Sequence, residues 1–252
     1  MFAQGLPLEV VVESADPLRG LGRVSLRGLP ICQLYAYPAP QRAPDTPAFI
    51  KENAIEFGLR ITSLIYVFPG RKYRSISTIT WIDGLAPPAI RDTRFREIQN
   101  VADFARKQGV GAVQGHIGFL PEKSRRAKKI VNLVEKIVDH LAQHGEFLVL
   151  ETGQESGKTL RRFVEAVGRN NVRVNFDPAN FALYGSYVPL QAFEVLGDFV
   201  MGFHCKNAVL PGKDARLGTK FCWVRAESIS PSTSQSPKPW ELRASLRSSG
   251  GS

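Results

Sequence analysis

Cysteine is scarce: three among 252 residues (Cys32, Cys205 and Cys222), with no close spacing. That excludes a disulfide scaffold and a cysteine-based zinc site, and it suits a reducing, cytoplasmic location. No run of eighteen apolar residues occurs, so no membrane span is expected. Residues Met1 to Leu8 lack the basic flank and apolar stretch of a secretory signal. There is no glycine-rich phosphate loop after the first apolar run; Gly20-Leu-Gly22 lacks the third glycine and the strand-turn context of a dinucleotide fingerprint. Acidic residues are also short, 23 against 33 Lys and Arg, for a net charge of +10. Such an excess raises nucleic acid as a partner, but the positive charge is scattered. Its one cluster, Lys123-Ser-Arg-Arg-Ala-Lys-Lys129, opens an amphipathic helical pattern and reads as a solvated helix face, so nucleic acid is not the expected partner.

What is present is an ordinary globular composition, 43% hydrophobic and 22% charged, at the length of one large α/β domain or two small ones. Short apolar runs at Leu8–Val12, Ile31–Ala36, Ile61–Phe68, Ala112–Phe119, Phe147–Glu151, Val172–Asp177 and Phe199–Cys205 are rich in Val, Ile and Phe. That composition predicts strands buried on both faces. Helical stripes lie between them: Phe95, Ile98, Ala102, Ala105; then Ile130, Leu133, Val134, Ile137, Val138, Leu141; then Leu160, Phe163, Val164, Val167. Alternating strand and helix predicts a parallel sheet with right-handed crossovers, either a TIM-type barrel or a doubly wound sheet.

The polar residues favour the barrel. Three successive strand candidates end in Glu151, Asp177 and His204, and His116 lies in the strand before them. Barrel active sites gather at the C-terminal ends of several strands. Carboxylate and imidazole together suit Mn²⁺, Co²⁺, Mg²⁺ or Zn²⁺, with oxygen-rich sets leaning to the harder ions. The plainer reading is that Glu155 and Asp177 accept N–H groups at helix starts and that His204 is a packed, hydrogen-bonded residue.

The segments His116-Ile-Gly-Phe-Leu-Pro-Glu122, Leu150-Glu-Thr-Gly-Gln-Glu155, Asn175-Phe-Asp-Pro-Ala-Asn-Phe-Ala-Leu-Tyr-Gly185 and His204-Cys-Lys206 resemble the sugar phosphate isomerase/epimerase family with the xylose isomerase-like TIM barrel. Gly84-Leu-Ala-Pro-Pro88 is similar to that family's loop before the third helix, and the resemblance runs from about Leu8 to Gly218. It implies that Glu151, Asp177 and His204 are three of four divalent-metal ligands, the fourth being a glutamate that ends an eighth strand. It further implies that Glu151 and that glutamate form the acid/base pair. On that resemblance a bound metal would polarise the carbonyl of a ketose, and one glutamate would take the neighbouring proton to give an enediolate. Glu155 and Asn180 are then placed to bind substrate hydroxyls, His116 to line the pocket or orient Glu151, and Lys206 to meet an anionic oxygen. The implied partner is a small sugar or sugar phosphate. Family barrels often pair, which leaves homo-oligomerisation open.

Two departures stand out. The first helix candidate carries Gly20 and Gly22, each costing about 1 kcal/mol of helix stability. The second is the ending. Residues 1–218 read as the barrel with seven native strands; residues 219–252 hold nine serines and no apolar periodicity, and by composition form a disordered tail. The family would continue with Gly-Glu-Gly, a helix and a strand ending Thr-Ile-Glu-Arg. Read one frame over, Phe221 to Val224 give Val or Ile, then Leu, Leu, Gly; Arg225 and Ala226 permit Glu-Gly; Leu246 to Gly250 permit Leu-Thr-Ile-Glu-Arg. The tail is therefore expected to be a frameshift product replacing the eighth strand.

The leading expectation is thus a metal-dependent sugar isomerase or epimerase impaired in this chain. The alternatives are an abasic-site endonuclease-like metal hydrolase and a non-catalytic sugar-binding remnant. Four histidines, two of them (His140 and His144) in a helical stretch, fall short of the denser ligand set a multi-metal nuclease needs.

Overall fold

Each of the seven apolar runs forms a parallel strand, and the strands pair in chain order. In the computed structural model the described residues are 10–12, 17–36, 46–66, 68, 84, 85, 87, 89, 91–120, 125–184, 188–204, 206–209 and 219–222. The strands are β1 (Val10–Val12), β2 (Ile31–Ala36), β3 (Arg60–Tyr66), β4 (Ala112–His116), β5 (Phe147–Glu151), β6 (Val172–Phe176) and β7 (Val200–Phe203). They make one seven-stranded sheet, each strand bonded to the next in sequence. Helices α1 (Pro17–Ser25), α2 (Thr46–Glu56), α3 (Arg91–Gln108), α4 (Arg125–Ala142) and α5 (Gly157–Val167) fill the crossovers, with α6 (Pro178–Tyr184) and α7 (Pro189–Leu196) between β6 and β7. The helix carrying Gly20 and Gly22 does form, with Leu21 and Val24 buried.

The sheet is curled. Neighbouring strands are about 4.8 Å apart, so β2 and β6 would stand about 19 Å from each other in a flat sheet. Yet the Gln33 amide on β2 donates to Asn175 Oδ1 on β6 at 3.3 Å. Only a sheet bent toward a barrel brings those side chains together. This is the TIM-type architecture, with seven parallel strands among the described residues. Among the described residues no pairing joins β1 to β7.

An apolar layer fills the space between the curled sheet and the helices. All six residues of the α4 stripe, Ile130 to Leu141, are buried, as are Leu160, Phe163, Val164 and Val167 on α5. The Ser156 side chain caps α5 by accepting from the Thr159 N–H at 3.2 Å. Gly168 ends the helix in a left-handed conformation, its N–H bonded to the Val164 carbonyl. Phe176 stacks against Phe181, Phe193 and Phe203 at centroid distances of 5.6, 5.4 and 5.8 Å. Its burial ties β6 to both helices that follow it.

Coverage fails at β7. All of β4 is buried, whereas Met201 in β7 is 46% exposed. After β7 the described residues form an antiparallel pair, β8 (Lys206–Val209) with β9 (Thr219–Cys222), and no eighth parallel strand is among them. The first four residues assigned to the tail are therefore a strand, in place of the structureless run expected from Thr219. The serine-rich segment after Cys222 lies outside the described residues, as do Leu8, Cys205 and Gly185. No helix among the described residues is long and apolar enough to cross a membrane.

Candidate metal centre

Sheet register builds the site. His116 pairs with Glu151, Glu151 with Asn175, and Asn175 with Gly202, so these four lie in one row across β4 to β7. Strand side chains alternate, so residues two positions on face the same way. Asp177 follows Asn175 by two, and His204 follows Gly202 by two; both therefore face inward one step nearer the C-terminal mouth. The backbone ladder continues past the strand ends to fix them: Thr152 N–H donates to the Asn175 carbonyl at 3.0 Å and His204 N–H to the Phe176 carbonyl at 2.9 Å.

The three expected ligands converge. One ligand-type atom from each of Glu151, Asp177 and His204 lies within 4.8 Å of the other two, and all three residues are buried. His204 Nδ1 is 3.0 Å from Glu151 Oε1 and 3.6 Å from Asp177 Oδ2. Two ligands about 2.1 Å from one ion and at right angles to each other stand about 3.0 Å apart. Two carboxylates and an imidazole with this spacing fit a divalent cation. The plainer reading also holds in part, because Asp177 Oδ1 accepts from the Ala179 N–H at 3.0 Å at the start of α6. One oxygen caps the helix; the other faces His204.

The neighbours are placed as follows. Asn180 on α6 donates to Glu151 Oε1 at 3.2 Å and to the Thr152 carbonyl at 2.6 Å. It orients Glu151 directly. His116 Nε2 is 3.5 Å from Glu151 Oε2, beside the carboxylate. Glu155 turns back on its own loop, taking the Gly153 N–H at 3.3 Å. Lys206 opens β8, and its side chain lies outside those described. Gly84, at φ 65°, lets the loop before α3 press on the end of β4, where a side chain would collide with the backbone of Ile117 and Gly118. Leu85 N–H bonds the Ile117 carbonyl at 2.8 Å there, and Arg94 bonds the Gly84 carbonyl.

Beneath the triad lies a polar chain that sequence reasoning missed. Ser63 Oγ donates to Gln114 Oε1 at 3.1 Å, Gln114 Nε2 to Gln33 Oε1 at 3.1 Å, and Gln33 Nε2 to Asn175 Oδ1. His204 Nε2 stands 2.8 Å from Gln33 Oε1 and 3.1 Å from Gln114 Nε2. Gly202 makes room, since a Cβ there would come within 2.8 Å of Asn175 Oδ1. The available signal was a glutamine inside each of two buried strands, Ile31-Cys-Gln33-Leu and Ala112-Val-Gln114-Gly. Polar groups survive there only if hydrogen-bonded. Gln154, in the loop after β5, is 8% exposed with both amide atoms unpartnered.

The family model of the xylose isomerase-like TIM barrel matches residues 28–229. The xylose isomerase domain protein from Planctomyces limnophilus is 30% identical, with a TM-score of 0.77 over 85% of this chain and 77% of that one. A D-psicose 3-epimerase solved in the presence of D-fructose has a TM-score of 0.66 at 16% identity, over 96% of this chain and 81% of its own. A xylose isomerase-like TIM barrel protein from Mycobacterium smegmatis, in complex with magnesium, has a TM-score of 0.61 at 13% identity, over 85% of this chain and 79% of its own. Comparison with curated protein sequences gives no match.

Proposed function

This chain belongs to the xylose isomerase-like TIM barrel family, and we propose that its barrel mouth is a divalent-metal site for sugar isomerase or epimerase chemistry, built on Glu151, Asp177 and His204. The observation that carries this reading is the buried convergence of those three side chains at the C-terminal ends of β5, β6 and β7. A relative solved with magnesium and another solved in the presence of D-fructose support the ion and the substrate class.

A bound Mn²⁺, Co²⁺, Mg²⁺ or Zn²⁺ would supply Lewis-acid polarisation of a ketose carbonyl. The rest falls to the chain's own groups. Glu151 takes the proton from the carbon beside that carbonyl. Asn180 holds its Oε1 by hydrogen bonding and His116 flanks its Oε2, so the carboxylate has one orientation from which to act. Glu155, Asn180 and Lys206 serve the substrate's oxygens. Return of the proton on the opposite face inverts the carbon; return to the neighbouring carbon isomerises the sugar. Inversion needs a second acid/base group on that far face. The family's eighth-strand glutamate fills that role, and the reading frame after Gly218 does not spell it. Turnover in this chain is therefore expected to be weak.

The endonuclease reading has less to stand on. Among the described residues the gathered ligand set is these three alone; His140 is on α4 and His144 lies in the turn just after it. The test is solvent deuterium exchange at the carbon beside the carbonyl of ketoses and ketose phosphates, with and without Mn²⁺. Metal-dependent exchange supports the proposal. Cleavage of abasic-site DNA without any such exchange would overturn it.

A further inference from the structure

A histidine that binds a cation through Nδ1 must carry its proton on Nε2, and something must accept that proton. We propose that Gln33 is the positioning residue that does so, holding His204 as the Nε2-protonated tautomer with its Nδ1 lone pair turned toward Glu151 and Asp177. The inference rests on the metal reading above but concerns a different residue, on a strand 171 positions away in sequence.

Four observations carry it. His204 Nε2 lies 2.8 Å from Gln33 Oε1, nearer than its 3.1 Å to Gln114 Nε2, while Nδ1 is the nitrogen that faces the two carboxylates. Gln33 has its amide direction set from both ends, because its Oε1 receives the Gln114 N–H and its Nε2 donates to Asn175. Gln114 is in turn held by Ser63. The whole chain is shielded: Gln33, Gln114 and Asn175 are 2%, 1% and 0% exposed, so water does not compete for the bonds. Buried polar groups in a barrel interior, where branched apolar side chains usually dominate, need such a reason to be there.

The reverse arrangement moves the acceptor. With the three amides turned over, Gln33 would present N–H to His204 Nε2, and Gln114 Oε1 would face that nitrogen at the longer, 3.1 Å contact in its place. Hydrogen-bond partners of metal-bound histidines typically contribute about 10–100-fold in metal affinity, so the direction of the amide chain matters.

The experiment uses the full chain with ¹⁵N-labelled histidine. The imidazole ¹⁵N shifts of metal-free protein should show His204 protonated on Nε2; protonation on Nδ1 in the wild type would overturn the proposal. Gln33→Met, which keeps the size and loses the acceptor, should weaken Mn²⁺ binding by about 10–100-fold and mix the tautomers. Gln33→Glu, which keeps an acceptor, should retain the Nε2-protonated form and most of the affinity. Circular dichroism reports whether each variant is folded. A folded Gln33→Met protein with unchanged affinity and tautomer defeats the idea. If wild-type protein shows the expected tautomer yet binds no Mn²⁺, the positioning role stands and the metal reading fails.

Discussion

Glu151 Oε1 and His204 Nδ1 face each other at 3.0 Å across the mouth of the barrel, on side chains 7% and 2% exposed. A carboxylate oxygen and an imidazole lone pair that close repel each other until a cation shared with Asp177 stands between them. The first prediction follows. Mn²⁺ at about a hundred times its Kd should raise the unfolding free energy by about 2.7 kcal/mol, seen as a higher Tm that chelation reverses. Asp177→Asn and His204→Ala should each remove most of that shift. A shift that survives both changes would place the ion elsewhere.

Catalysis gives the second. Losing a positioned acid/base group costs about 10²–10⁴ in rate. A chain with a one-base correction restoring the family ending should exchange substrate deuterium at least that much faster than the chain as written. Glu151→Gln in the corrected chain should abolish exchange while leaving the circular dichroism spectrum unchanged. Equal exchange with and without the correction would show that no second glutamate is needed.

Glu146 supplies a stability test away from the mouth. It is 3% exposed, neither carboxylate oxygen has a hydrogen bond, and Arg106 is 3.8 Å off. Burial pushes its carboxyl above the usual range; Arg106 opposes the shift and Asp103 adds to it. The sign follows. The folded state favours the protonated acid, so Glu146 costs stability once pH rises above its unfolded range, and that cost fades as pH falls. Glu146→Gln should therefore stabilise the protein at pH 7 by about 1 kcal/mol, with the gain shrinking toward pH 4. Denaturant titrations at both pH values check it; a gain independent of pH would mean the charge is not the cause.

Packing gives the fourth. Phe176 is 1% exposed and touches three other phenylalanine rings. Phe176→Ala should cost about 3–5 kcal/mol and, by loosening β6, weaken Mn²⁺ binding at Asp177. Phe176→Leu should cost less. A loss below 1 kcal/mol for the alanine variant would show that the cluster collapses freely.

The uncovered last parallel strand gives the fifth. Met201 is 46% exposed on β7, the strand that closes the parallel run. Exposed sheet edges invite association. The frame-corrected chain should show higher soluble yield and less light scattering than the chain as written. Equal yields would mean that the β8–β9 pair already protects that edge.

The seven strands were legible because Val, Ile and Phe concentrate where a sheet is buried on both faces. The triad was legible because strand ends carry their chemistry in sequence order. Gln33 was not. Its partner Asn175 is 142 residues away, and nothing in local pattern says that β2 and β6 meet until the sheet is known to curl. The β8–β9 pair was hidden for another reason: four-residue strands are too short for periodicity to reveal, and the second, Thr219-Lys-Phe-Cys222, begins inside a segment whose composition reads as unstructured.

Strict nearest-neighbour pairing from β1 to β7 has a consequence in time. Each new strand can dock on the one made just before it, so the sheet can lengthen as the chain emerges from the ribosome. Contacts that close large loops come late, because their entropy must be met before they return anything. The bonds from Gln33 to Asn175 and to His204 span 142 and 171 residues. They can form only after β7 has arrived and the sheet has curled. The Glu151–Asp177–His204 cluster is thus assembled in the last act of folding, and its appearance can serve as a clock for barrel closure.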